Sequence, residues 1–291
     1  MDLNELRFEI DKIDDELVRL FAERMEVSAR IADYKKEKGL PIFMPSREAE
    51  KLQDVAQKAG ADMEVYTRVL YDLLFELSRG YQSKRNAART PLYGRISDAI
   101  ANTPKMLPRD AAVACMSGED ANAQMVCQKI FCTCPIVQFK DSDGVLSAVS
   151  QGMCRYGVLP LQGSIQQLYD RLAEQNLYIV RTFSLHSTEG STRYLCVGRE
   201  LEIFPGSDRS SIRMALSDHP GALYKVLARL YTLGINVVQL ESRPVADKHF
   251  QGMFYFDLQT SVYSDEFVQL MCELDDLCED FFYLGSYTEV V

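Results

Sequence analysis

The first 34 residues carry the pattern that most restricts the fold. Leu3, Leu6, Ile10, Ile13, Leu17, Leu20, Arg24, Val27, Ile31 and Tyr34 step by three and four in alternation, with no proline or glycine between them. Such spacing keeps one stripe of a helix apolar, so it predicts a single long helix with a continuous buried seam. Gly39 and Pro41 end it. Pro45-Ser46 ahead of Arg47-Glu48-Ala49-Glu50 predicts a serine-capped second helix with acidic residues in its first turn. Val65, Val69, Leu70, Leu73, Leu74, Leu77 and Tyr81 predict a third, from about residue 62 to 85.

Arg24 falls on the apolar seam. A guanidinium buried there without an anion costs several kcal/mol, so a structural carboxylate or a bound anion has to meet it. Lys35 lies eleven residues on, which on a helix is about 16 Å along the axis and within about 20° in azimuth. Two long side chains on one side can converge on a small dianion between them. Arg7 is different: seventeen residues from Arg24, it stands about 25 Å away and is rotated by roughly 100°. It cannot complete the same pocket in its own chain, but an antiparallel copy of the helix would bring it back. If all three serve one ligand, the protein is a dimer.

The 291 residues exceed one ordinary core and suit two or three small domains. A formal net charge of -10 excludes nucleic acid and anionic membrane as partners, because the average field repels both. An anionic substrate therefore needs a local cationic pocket. Eight cysteines without CxxC spacing or a histidine cluster predict free thiols in a reducing cytosol rather than zinc or disulfides. The acidic, amphipathic start lacks the apolar core of a signal peptide, and no run of about 18 apolar residues occurs, so a soluble, cytoplasmic protein is expected.

After a polar stretch around residues 84–108, read as a linker with a short helix in it, the pattern changes. Short apolar runs at 111–115, 136–139, 157–161 and 178–185 alternate with helical patterns at 122–130 and 144–151. That alternation predicts an α/β unit. The last 80 or so residues read strand, helix, strand, strand, helix, strand, which is the ferredoxin-like order, with Gly234 closing the first of these helices.

Residues 3–85 resemble the all-α chorismate mutase domain at the front of bacterial bifunctional phenylalanine-pathway enzymes. The carriers are Leu6-Arg7-x-x-Ile10-x-x-Ile13-Asp14, Ala22-Glu23-Arg24, Tyr34-Lys35-Lys36, Pro45-Ser46-Arg47-Glu48, and Ser78 with Gln82. The resemblance implies that Arg7 of a second copy, Arg24 and Lys35 hold the two carboxylates of chorismate, and that Lys35 and Gln82 bond its ether oxygen. Glu48 would take the ring hydroxyl, Arg47 would help order the site and Ser78 would contact the ring carboxylate. The reaction is a unimolecular pericyclic rearrangement to prephenate, requiring no cofactor or metal. Met44 stands where the family often has an acidic residue.

Residues 111–201 resemble prephenate dehydratase in fragments. Ser117-Gly118-Glu119-Asp120-Ala121-Asn122-Ala123 replaces a glycine-rich turn ending in tyrosine-serine. Gly157 to Ser164 keeps part of a second motif, and Thr192-Arg193-Tyr194 resembles the family's threonine-arginine-phenylalanine. Where that family inserts a second lobe, between Arg181 and Thr192, this chain has ten residues. Dehydratase activity is therefore expected to be lost, with Thr192 and Arg193 reduced to ordinary strand residues. His219-Pro220-Gly221-Ala222-Leu223 and Glu241-Ser242-Arg243-Pro244 resemble the phenylalanine-binding motifs of the ACT domain. Residues 221–223 and 241–244 would then bind L-phenylalanine as an allosteric effector.

The expected organisation is multidomain, α plus α/β. It comprises a helical mutase bundle at 1–88, a linker at 89–109, a truncated dehydratase-like lobe at 110–201 and a ferredoxin-like ACT domain at 202–291. The expected assembly is a homodimer or higher homo-oligomer. The alternatives are a bifunctional mutase/dehydratase and a non-catalytic phenylalanine-sensing subunit.

Overall fold

The computed structural model describes residues 2–40, 44–84, 90–117, 125–128, 131, 134–161, 163–187, 190–217, 221–245, 251–278 and 280–290. The chain divides into two compact units, Met1–Ala88 and Arg89–Val291.

The first unit is helical. Helix α1 runs Leu3–Lys38, opened by an Asp2/Glu5 capping box and closed by Gly39 in the left-handed conformation. Helix α2 spans Pro45–Ala59 and α3 spans Glu64–Lys84. The serine cap expected for α2 does not form. Met44 is the N-cap, no side chain caps the helix, and Pro45 takes the first position, where its missing N–H costs nothing. Both α1 and α2 pack on α3.

The seam of α1 is also not buried within one chain. The buried residues of α1 are Met25, Ser28, Ala29 and Ala32, small side chains that let α3 approach closely. The apolar seam residues from Leu3 to Tyr34 remain 43–62% exposed. An unpaired apolar stripe of this length marks an interaction surface.

The second unit opens with α4, Pro91–Asn102, the short helix expected inside the linker. Thr90 caps it, and Leu92, Ile96 and Ala99 are buried. The strands β1 (Val113–Met116), β2 (Ile136–Phe139), β3 (Tyr156–Leu161), β4 (Tyr178–Ser187) and β5 (Gly190–Gly198) follow. Among them lie α5 (Ser142–Ser150) and α6 (Ile165–Glu174). Residues 125–128 are helical, whereas 118–124, 129 and 130, which carry most of the expected glycine-rich motif and the ends of that helix, lie outside the described residues.

Then come β6 (Arg209–Ser217), α7 (Ala222–Thr232), β7 (Asn236–Pro244), β8 (Gln251–Gln259), α8 (Asp265–Leu277), β9 (Phe281–Tyr287) and β10 (Glu289–Val290). A six-stranded sheet has the order β10-β4-β5-β3-β1-β2, with β1 parallel to β2 and β3, and β5 antiparallel to β3 and β4. A four-stranded antiparallel sheet has the order β7-β8-β6-β9.

The two sheets are joined closely. β10 follows β9 of the second sheet in the chain but pairs with β4 of the first. Gly285 in β9 has φ of 130°, and a Cβ there would lie 2.5 Å from the Ile179 carbonyl oxygen, so only glycine permits this backbone approach. β4 and β5 form a direct hairpin, with only residues 188 and 189 between them. No helix among the described residues is long and apolar enough to cross a membrane.

Candidate active site and ligand cleft

Five of the expected residues, Arg24, Lys35, Glu48, Ser78 and Gln82, are at least partly buried in the first unit. Arg24 on α1 reaches α3, where its Nη1 donates to the Leu74 carbonyl at 3.2 Å and to Ser78 Oγ. Burial pushes the Arg24 guanidinium's pKa down, partly offset by the nearby Tyr71 and Glu48. Lys35 is partly buried, and desolvation pushes its ammonium down as well, with Glu48 opposing. Glu48, in the first turn of α2, thus lies near enough to both cations to oppose the loss of their charge. Gln82 stands one turn after Ser78 on α3. It is buried, and its Oε1 has no partner among the described residues. A buried amide oxygen left unpaired costs roughly 1–3 kcal/mol, so the position is suited to a polar ligand.

Three placements differ from expectation. The Ser78 hydroxyl donates to the Leu74 carbonyl at 2.6 Å, so it accepts from Arg24 and positions that guanidinium rather than offering its proton outward. Arg47 turns to solvent, where it pairs with Glu50 at 3.3 Å, and does not join the others. Arg7 lies about 25 Å along α1 from Arg24, in a stretch of the helix that is exposed.

Sequence reasoning missed Arg79. Buried beside the site, it donates Nη1 to Glu48 and Nη2 to Glu76, which fixes the Glu48 carboxylate as an acceptor. The Glu76-x-x-Arg79 spacing on one helix face was the available signal.

Because Lys35 is held below the ordinary lysine range, it loses its proton earlier than a free lysine as pH rises. The alkaline limb of kcat/KM for a dianionic substrate should therefore lie below pH 10.5, the ordinary lysine value. Lys35→Arg, always charged, should remove that limb from the profile.

In the second unit a cleft of about 370 Å³ is lined by Gly221, Ala222, Leu223, Ser242, Arg243 and Pro244, among others. Gly221, at φ 90°, begins α7 without a Cβ to crowd the opening. Glu241 does not line the cleft. Burial raises its carboxyl, but bonds from Ser164, the Ile165 N–H, Gln239 and Gln166 outweigh this and hold it below the usual range. His219 and Pro220 lie outside the described residues, as does Gln162 of the Gly157-to-Ser164 motif.

Arg193, expected to be an ordinary strand residue, is not one. Its Nη1 donates to Asp257 at 2.8 Å and its Nη2 to the Tyr287 hydroxyl at 3.0 Å. Asp257 is 1% exposed and also accepts from Tyr169 and Ser211, both at 2.6 Å. The network joins the six-stranded sheet, α6 and the four-stranded sheet.

A helical unit with a paired-cation site, followed by an α/β unit with two sheets, defines the class. Residues 6–83 match the family model Chorismate mutase type II, so the first unit is a chorismate mutase domain. The rest is a prephenate dehydratase-like region. Over the whole chain the protein is 25% identical to the "Bifunctional chorismate mutase/prephenate dehydratase" of Aquifex aeolicus (strain VF5), covering 100% of this chain and 99% of that one. That alignment runs over 366 positions against 291 residues here, so at least 75 of its positions have no counterpart in this chain.

Two solved structures share the fold of the second part. The X-ray structure of prephenate dehydratase from Streptococcus mutans has a TM-score of 0.51 at 22% identity, over 62% of this chain and 99% of that one. Prephenate dehydratase in complex with L-Phe from Arthrobacter aurescens has a TM-score of 0.54 at 14% identity, over 61% and 89%.

Proposed function

We propose that the protein is a cytoplasmic chorismate mutase of phenylalanine biosynthesis, active as a homodimer or higher oligomer, regulated by L-phenylalanine and without dehydratase activity. The single observation that carries the mutase reading is the grouping of Arg24, Lys35 and Glu48, close enough for the carboxylate to raise both cations' pKa values, in the unit whose α3 buries Gln82. Arg24, Lys35 and Arg7 of a second copy hold the two carboxylates. Lys35 and Gln82 meet the ether oxygen, and Glu48, anchored by Arg79, accepts the ring hydroxyl.

Catalysis then consists of holding the folded conformer and stabilising negative charge as it grows on the ether oxygen while the C–O bond breaks. No residue has to move a proton. The exposed seam of α1 supports the pairing, since a second copy both covers that stripe and returns Arg7 to the pocket.

Lost dehydratase activity is supported by the β4–β5 hairpin. It spans the place where the resembling family carries its second lobe, so a site between two lobes has only one wall. The β-α-β-β-α-β order and the cleft under Gly221 support an ACT domain that takes phenylalanine, the ligand named for the Arthrobacter aurescens structure. Product analysis tests the whole reading. Chorismate supplied to purified protein should become prephenate and stop there, at a rate altered by phenylalanine. Phenylpyruvate in the product would overturn the loss of dehydratase activity, and unreacted chorismate would overturn the mutase.

A further inference from the structure

The strand that lines the ligand cleft also grips the lobe. Glu241 of β7 accepts from Ser164, the N-cap of α6, and from the Ile165 N–H at 3.3 Å. Gln166 donates its side-chain amide to the Ser242 carbonyl at 3.3 Å. One residue on, Arg243 donates Nη2 to Asp170 of α6 at 2.6 Å and Nε to the same carboxylate at 3.1 Å. Three successive residues of β7 are thus bonded to three positions along α6, and two of the three, Ser242 and Arg243, are walls of the cleft.

The bonding is directional at Arg243. Its inner edge is fixed by Asp170 and by the Tyr255 hydroxyl at 2.8 Å, while Nη1 has no partner among the described residues. Asp170 is itself held by Arg213 at 2.8 Å and by Tyr255, so its carboxylate is a fixed post rather than a mobile surface group. A guanidinium clamped on one edge offers its remaining donors in a set direction, the geometry that suits a carboxylate. A carboxylate-bearing ligand in the cleft would share this guanidinium with Asp170. Binding and the grip on α6 then reinforce each other, and by reciprocity each strengthens the other equally.

We infer that Asp170 is a positioning residue for the cleft, and that α6 is the element through which the lobe registers an occupied cleft. This rests on the reading of the cleft as an amino-acid site. The consequence reaches the six-stranded sheet, because Tyr169 of α6 enters the Arg193–Asp257 network.

The test uses the full chain, L-phenylalanine titrated by calorimetry, and hydrogen exchange of amides 165–174 with and without saturating ligand. The native protein should show slower exchange in α6 when phenylalanine is bound. Asp170→Asn should weaken binding roughly tenfold, the loss of one charge-assisted bond, and at saturation should show no ligand-dependent change in α6. Arg243→Lys, which keeps the charge but not the fork, should do the same, and it decides the matter if Asp170→Asn does not fold. A purely structural Asp170 would lower the melting temperature with and without ligand while leaving affinity and the ligand-dependent exchange intact, and that result overturns the inference. So does binding to the native protein with no change in α6. No binding to the native protein overturns the amino-acid site itself.

Discussion

Replacing Lys35 with alanine is expected to lower kcat for chorismate rearrangement by on the order of 10²- to 10³-fold, the usual effect of removing one preorganised donor from a developing oxyanion. Lys35 stands apart from the other cations because it is assigned both a carboxylate and the ether oxygen, so its loss weakens ground-state binding and transition-state stabilisation together. KM should therefore rise while kcat falls. Its ammonium is already desolvated, which strengthens each bond it makes and is the reason its pKa is low. Gln82→Ala should cost less, since a neutral donor gives a weaker bond than a charged one. Ultraviolet loss of chorismate measures the rate, and far-ultraviolet circular dichroism confirms that the helices persist.

The second large effect concerns stability. Asp257→Ala should destabilise the unit 89–291 by about 3–5 kcal/mol, because it strips a buried guanidinium of its counter-ion. Tyr169 and Ser211 lose their acceptor in the same step. Burial and the adjacent carboxylate push the Tyr169 phenol well up, so it stays a neutral donor and cannot compensate. For a unit of this size the melting temperature should drop by about 10 °C. Differential scanning calorimetry measures it. A shift within a degree of the native value would mean that the network is decoration.

Much of this is legible in the sequence. The alternating three-four spacing placed α1, and the glycine after Lys38 ended it, because the left-handed position there suits no residue better. Helical arithmetic puts Arg24 and Lys35 on one side of α1, while their role as ligand-holding cations comes from the family resemblance. The length deficit before Thr192 excludes a second lobe there, and the β4–β5 hairpin occupies the place.

What stayed hidden depended on contacts between distant segments. The buried face of α1 is Met25, Ser28, Ala29 and Ala32, which carries less hydrophobic signal than the exposed seam beside it. The packing partner, not the pattern, decides which face is inside. Ser46 has a capping side chain but sits two residues past the N-cap Met44, behind Pro45. Arg193 resembled a strand residue because its partner, Asp257, lies 64 residues away in another sheet.

The composite site is tested most directly by mixing subunits. Arg7→Ala and Arg24→Ala should each be nearly inactive alone. After joint unfolding and refolding, half of the dimers pair one variant with the other, and in each of these a single pocket combines native Arg24 and Lys35 with a native Arg7. The mixture should recover about one quarter of native specific activity. A mixture no more active than the mean of its two components would show that Arg7 does not act across the pair.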